Sequence, residues 1–318
     1  MKFFISISLA FFLPNRPFAQ NSFSKIKDSV SITLLDQKTK QERVTLIGAV
    51  NVAAYVGTMT ALYQTWYKNY PQSKFHFFND NKEWLQVDKV GHMWSAYTEG
   101  RVSIEMWTWA GLPRKKAIWI GGLSGLAYQS IIEVLDGFSA EWGFSWGDYT
   151  ANVIGSGMLV AQELGWKEQK IQLKFSSHYQ SYGNNILNTR ADDIYGTNLP
   201  ERILKDYNAQ TYWLSANIRA FFKDAKLPPW LNIAVGYGAE GMFGAVDNIW
   251  TGKNGVTYDY SRVKRYRQWY IAPDIDFTKI RTKNKLLKTI YFILNSFKFP
   301  TPSLEFSNKK VKWNWLHF

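Results

Sequence analysis

The 318-residue chain contains no cysteine. That excludes a disulfide framework, a thiolate metal site, a cysteine nucleophile and a lipid-modified N-terminal cysteine. It also lacks a Ser-His-Asp nucleophile motif, a P-loop and a His-Glu-x-x-His helix, so three common catalytic designs are missing. Low hydrophobicity is not among its features. Hydrophobic residues make up 46% and aromatics 17%, with 15 Trp and 18 Tyr. That composition excludes a disordered or fibrous chain and allows one large domain or two small ones.

A charge excess is confined mostly to one half. Residues 1–19 carry a net +2, residues 20–165 a net of zero and residues 166–318 a net of +11, within a total of +13. A basic surface suits nucleic acid, anionic lipid or lipopolysaccharide. The N-terminus decides between them. Met1-Lys2, an apolar run over 3–13, and Pro14-Asn-Arg-Pro-Phe-Ala19-Gln20 read as a secretory signal peptide over residues 1–19. Export argues against nucleic acid. It points to the periplasm or outer membrane of a Gram-negative envelope.

Residues 20–44 are polar with a short alternating patch, Val30 to Leu35, and read as a linker or a short strand. Residues 45–67 hold no charge, so this segment is a membrane helix or a buried bundle helix. Further helices are expected over 88–109, 117–135 and 145–164, with Gly121, Gly122, Gly125, Gly155 and Gly157 allowing close packing. After residue 166 the period changes. Strands are expected at 171–175, 231–237, 268–271, 275–277, 303–306 and 311–318, with helices at 212–222 and 285–297 and a turn at Lys309-Lys310. The expected fold class is α+β: a four-helix bundle over 45–165, then a basic, strand-containing, aromatic-rich region over 166–318.

Three polar clusters interrupt the apolar helices. Asp88-Lys89-Val-Gly91-His92 places Asp88 and His92 four apart on one helix face, which Ser95 and Glu99 extend. Glu133 and Asp136 are three apart, and Ser145, Asp148 and Asn152 follow. Each cluster lies near a helix end, so packing can gather them into one pocket. Carboxylates with one histidine can hold a divalent cation or perform acid–base chemistry. Structural readings stand beside these. Asp88 fits an N-cap, Ser145 with Asp148 fits a capping box, and Glu133 with Asp136 fits a solvated turn.

Taken together, Asp88-Lys-x-Gly-His92, Glu133-x-x-Asp136-Gly and Ser145-x-x-Asp148-x-x-x-Asn152-x-x-Gly155 resemble the YfiM-like family of uncharacterised bacterial envelope proteins. They are more distantly similar to VanZ-like membrane proteins. The likeness covers residues 45–165. Asp136 and Glu141 stand where VanZ-like proteins commonly have Gln and Arg. The resemblance implies a helical envelope domain and no established reaction.

The C-terminal sequence Trp313-Asn-Trp315-Leu316-His317-Phe318 looks like the last strand of an outer-membrane barrel, although the candidate strands are too few for a closed one. An α+β region resting on a membrane is expected instead. Arg262, Lys264, Arg265, Arg267 and Trp269 are its candidate membrane-surface residues, facing lipid or lipopolysaccharide. Two functions follow. One is a non-catalytic, envelope-organising protein whose polar network of Lys89, Asp136, Ser145 and Asn152 fixes helix register. The alternative is a hydrolase on an envelope lipid or peptidoglycan, with His92 as acid–base group and Asp88, Glu133 and Asp148 as orienting partners or ligands. No cofactor is required by either, the second leaving room for a divalent metal, and no protein partner is indicated.

Overall fold

A computed structural model describes residues 32–68 and 71–318. The expected signal peptide lies outside the described residues. The first described element is α1 (Ile32–Leu62), which runs into a single π-turn at Tyr63–Tyr67. Residues 32–44 are therefore helical rather than a linker or strand. Lys38, Lys40, Glu42 and Arg43 are strong helix formers, and the alternation around Val30 was too short to resist them.

Next come α2 (Val87–Trp109), α3 (Arg114–Gly122), α4 (Ser124–Gly137) and α5 (Trp146–Gly165). The one apolar segment expected at 117–135 is thus two helices, broken at Leu123. Helix α2 is the axis, with α3, α4 and α5 packed around it. Its closest neighbours are set by glycine. A Cβ on Gly125 of α4 would sit 2.1 Å from the Ala96 carbonyl oxygen, and one on Gly155 of α5 2.1 Å from that of Met93. Gly157, by contrast, faces open space.

Helix α1 does not join this packing as a fourth bundle member. It is pinned at Ile47, against Met106 and Trp109, and at Leu62, against Tyr128 and Ile132. Only 6% of the apolar window in Gln37–Leu62 is buried. Between the two pins lies a cavity of about 400 Å³ lined by Tyr55, Thr58, Ser95 and Glu99 among others.

The second half is built on an antiparallel six-stranded sheet ordered β1 (Ile171–Ser177), β2 (Gln210–Asn217), β3 (Leu231–Glu240), β6 (Tyr266–Ile275), β7 (Thr301–Ser307) and β8 (Lys310–His317). A small hairpin of β4 (Ile249–Thr251) and β5 (Thr257–Asp259) stands apart. Helices α6 (Asn185–Tyr195) and α7 (Leu199–Lys205) link β1 to β2, α8 (Ile218–Phe221) follows β2, and α9 (Lys285–Leu294) precedes β7. The expected helix at 212–222 is mostly strand β2. Nearly every residue of β2 is buried, so its sequence shows no alternation to betray the strand period. Residues 275–277 leave β6 for a short 3₁₀ turn instead of forming a strand. The β7–β8 turn lies one residue earlier than expected, at Asn308-Lys309, both at positive φ as a tight hairpin requires, and Lys310 already belongs to β8. The main core joins the halves. Trp94 and Tyr97 of α2 pack with Leu173 and Phe175 of β1 and Tyr212 of β2.

Candidate functional site: a buried ionic cluster

The entry to α2 is strained. Trp84, Leu85 and Gln86 have φ of 48°, 50° and 64°, a left-handed run that L-residues adopt only when their surroundings hold it. The sheet half does the holding. Trp84 N–H donates to the Ala245 carbonyl at 2.7 Å, Tyr237 donates its hydroxyl to the Leu85 carbonyl, and Arg267 donates to Gln86 Oε1 at 2.5 Å. Helix α2 then starts at Val87, which places Asp88, Lys89 and His92 toward α4 and α5. Asp88 is in the first turn and is not the N-cap, a position taken by Gln86.

Lys89 is the hub. Its ammonium lies 2.7 Å from Asp80, 2.9 Å from Asp88 and 2.9 Å from Asp148. Gly147 makes room for it, because a Cβ there would meet Asn81 Oδ1 at 2.4 Å and Lys89 Cε at 2.9 Å. His92 occupies the next turn. Its Nδ1 lies 3.3 Å from Asn152 Oδ1 and 3.7 Å from Glu133, and its Nε2 lies 3.8 Å from Asp148. Ser145 caps α5 by accepting the Asp148 N–H at 3.1 Å and donates to Asp80 Oδ1 at 2.6 Å. The capping box is only half present. The carboxylate that accepts the Ser145 N–H, at 3.2 Å, is Glu133 rather than Asp148. Asp148 is thereby left to Lys89.

Asp88, His92, Glu133, Asp148, Ser145 and Asn152 are all brought together, as is Lys89. Asp136 is not: it accepts the Tyr67 hydroxyl at 2.8 Å and ties α4 to the turn after α1. Ser95 and Glu99 also leave the cluster, lining the α1 cavity, where Gln129 donates to Glu99 at 2.9 Å. Asp80 is the member that sequence reasoning missed. It sits on a loop, where no periodicity links it to the helices.

Burial dominates the electrostatics. It raises the Asp88 carboxyl to about 6, with Asp148 adding to the rise. It raises Asp148 to about 8 against the pull of Lys89, and it lifts Glu133 well above the carboxylate range, helped by Asp148 and Asp136. Desolvation lowers His92 to about 4, so the imidazole is neutral near pH 7. Lys89 is desolvated too, but Asp148 and Asp88 outweigh that and raise it. The cluster is therefore a charged hub bordered by proton-holding acids. A cation could be held in two ways by geometry: His92, Glu133 and Asp148, or Asp80, Asp88 and Asp148, offer ligand atoms within 4.8 Å of one another. The second set already surrounds the Lys89 ammonium, so the first is the one suited to a divalent ion.

The candidate membrane residues lie elsewhere. Arg262, Lys264 and Arg267 are exposed, as is Trp269. Arg265 is turned inward to the Ala245 carbonyl at 2.6 Å.

Residues 76–162 match the family described as "Predicted periplasmic lipoprotein (DUF2279)", a stretch that runs from Asp80 through Asn152 and so contains the whole ionic cluster. The match supports an exported, periplasmic or envelope location, in agreement with the signal read at residues 1–19, and an uncharacterised envelope family. The lipid-bearing cysteine that the description implies is absent from these 318 residues. No curated protein and no solved structure matches significantly.

Proposed function

We propose that this is a membrane-seated envelope protein with an organising rather than catalytic role, its ionic cluster acting as a structural lock between α2, α4 and α5. The observation that carries the reading is α1: an 18-residue stretch within Gln37–Leu62 has a mean hydropathy of 1.5, with only 6% of it buried. A water-soluble protein rarely leaves so much contiguous apolar surface uncovered. The other apolar stretch, Arg114–Gly137, is broken at Leu123 and 44% buried, which fits a core pair. The YfiM-like and, more remotely, VanZ-like spacing of the cluster supports an envelope domain, and the outer membrane is the proposed site, with lipid or lipopolysaccharide as partner.

The hydrolase alternative needs a substrate to reach Asp88, His92, Glu133 and Asp148, which are at most 7% exposed. A lock needs no such access.

Membrane fractionation followed by alkaline carbonate washing tests the seat. The protein is expected to stay with the outer-membrane fraction, and its release as a soluble species would defeat the reading. His92→Ala and Glu133→Gln, each followed by a thermal melt and an envelope-stress assay, test the lock. For His92→Ala stability and function are expected to fall together, whereas Glu133→Gln, isosteric with the protonated acid, is expected to keep both near neutral pH. Function lost with the melt intact would favour the hydrolase.

A further inference from the structure

The six-stranded sheet is inside out. Paired residues share a face, so the register sorts side chains without ambiguity. Leu214, Val235, Ile271 and Trp313 form one cross-strand row with Leu304, and are 45%, 47%, 41% and 52% exposed. The adjoining row continues the same face through Trp269, Phe306 and Val311, at 50%, 39% and 62%. Where α2 covers this face, at Leu173, Phe175 and Tyr212, it is core; from Leu214 onward it is bare.

The opposite face is sealed, and beside a cluster of Trp213, Ala234, Tyr270 and Ala272 it carries a polar network. Lys174 and Asp274 meet at 2.7 Å with both side chains fully buried. Ser215 donates to Asp274 at 2.6 Å, Asn232 to Ser215 at 2.9 Å, and Asn217 to Asn232 at 2.8 Å. The sheet curls around these groups. Strands β2 and β8 are four places apart, about 19 Å in a flat sheet. Yet Thr211 of β2 lies 3.3 Å from His317 of β8, whose ring stacks on Tyr270 at 4.1 Å.

A sheet facing water buries its apolar side and exposes its polar one. This sheet leaves its aliphatic rows bare and folds most of its polar groups inward, where they bond mainly to one another. The inversion is the pattern of a wall in hydrocarbon. Strand length agrees. Strands β3 and β6 have 10 residues each, about 33 Å of chain, and at a tilt of about 40° they match an apolar band roughly 25 Å tall.

Both ends of the wall carry cations, and Lys279, Arg281, Lys283 and Lys285 follow β6 at the end where Ile275 pairs with Leu231. The register brings Glu240 opposite Tyr266, Gln268 opposite Ser307, and Ser307 opposite Lys310. The segment carrying Arg262, Lys264 and Arg267, with Lys309 of the β7–β8 turn and Lys310 beside it, therefore gathers at the other end of the sheet. Cations at the edge of an apolar wall fit the phosphates of anionic lipids.

We infer that the outer face of the β2–β8 sheet lies against the acyl chains of a bilayer, with the cations at its Lys264 and Lys310 end on anionic lipid headgroups. This deepens the membrane reading above and rests on it for location, but it uses residues of the sheet rather than α1.

Absence of native cysteine makes the test direct. Single cysteines at positions 235, 271 and 306, at 52 on α1, and at 253 as a control with a 91% exposed side chain, are labelled with an environment-sensitive fluorophore in the full chain. The protein is then reconstituted in phosphatidylethanolamine vesicles with or without phosphatidylglycerol. Labels at 235, 271 and 306 are expected to shift to the blue and to be quenched by brominated acyl chains, with the label at 253 quenched by iodide. Sheet labels as open to iodide as that at 253 would overturn the inference, even with position 52 in lipid. A label at 52 in water with sheet labels in lipid would overturn only the α1 reading. Sheet labels shielded from both quenchers would mean that protein covers the face, and the lipid assignment falls. Lys264→Gln and Lys310→Gln are each expected to weaken binding to the anionic vesicles roughly five-fold and to leave neutral ones unaffected. Unchanged binding to anionic vesicles would remove the headgroup contact.

Discussion

Lys89 faces three carboxylates within 2.9 Å, whereas Lys174, more deeply buried, faces the single carboxylate of Asp274 at 2.7 Å. The two halves of the molecule have thus solved the same problem differently. In the sheet, Lys174 meets the single carboxylate of Asp274, with the Ser215 hydroxyl as a neutral partner. In the helices, acids outnumber cations, so the surplus has to be carried as protons. Both interiors respond to pH, but burial pushes in opposite senses: it lowers the cations Lys174 and Lys298 in the sheet and raises the acids Asp88, Asp148 and Glu133 in the helices.

Removing the hub should have the largest effect. Lys89→Met leaves Asp80, Asp88 and Asp148 buried without their cation, and an expected loss of about 4 kcal/mol follows, read by chemical denaturation. Should Lys89→Met cost less than Lys174→Met, the contrast drawn between the halves fails. Lys174→Met is expected to cost about 3 kcal/mol, and adding Asp274→Leu should restore most of it, since an apolar pair is a tolerable substitute for a balanced buried one. No such rescue is open to Lys89 through a single partner. Next in size, Gly155→Ala should cost about 2 kcal/mol by forcing α5 away from α2, whereas Gly157→Ala, facing open space, should be neutral or slightly stabilising in the same melts.

The smallest effect per step is the pH response. Asp88, Asp148 and Glu133 are raised on folding, so each contributes stability below its unfolded pKa, and that contribution is lost as pH rises through the folded value. For Asp88 the window runs from about 4 to about 6, and for Asp148 it extends to about 8. His92 acts in the opposite sense. Its folded value is depressed to about 4, so its contribution is present above 6.5 and lost as pH falls toward 4. The two senses oppose each other below pH 6.5, and above it the raised acids act alone. Stability is therefore expected to fall from pH 6.5 to 8, by an amount on the order of 1 kcal/mol per pH unit from Glu133. Glu133→Gln, which keeps an acceptor for the Ser145 N–H, should flatten that slope. A slope identical to wild type would assign the surplus protons elsewhere.

Much of this was legible from spacing alone. Asp88 and His92 four apart, and Asp148 and Asn152 four apart, foretold which faces would meet, because helical geometry converts those intervals into neighbours. The glycines at 125 and 155 foretold how closely. Asp80 escaped because a loop residue has no period, and its role exists only once α5 has brought Ser145 beside it. Ser95 and Glu99 were assigned to the wrong space: they continue the Asp88–His92 face, but α1 opens a separate cavity above them. Strand β2 was misread as helix because burial on both faces erases the alternation that marks a strand. The inverted sheet was only half visible. The aromatic ending and the basic run suggested a membrane, but which face was polar depended on register, which no single strand carries.

The His92–Asn152 contact joins residues 60 positions apart, and Lys89 likewise waits for Asp148. Asp80 and Asp88 reach Lys89 from nearby in the sequence, and only Asp148 and Asn152 come from α5. The hub is therefore half built from local chain and finished only when α5 closes on α2, so its integrity reports tertiary closure rather than helix formation.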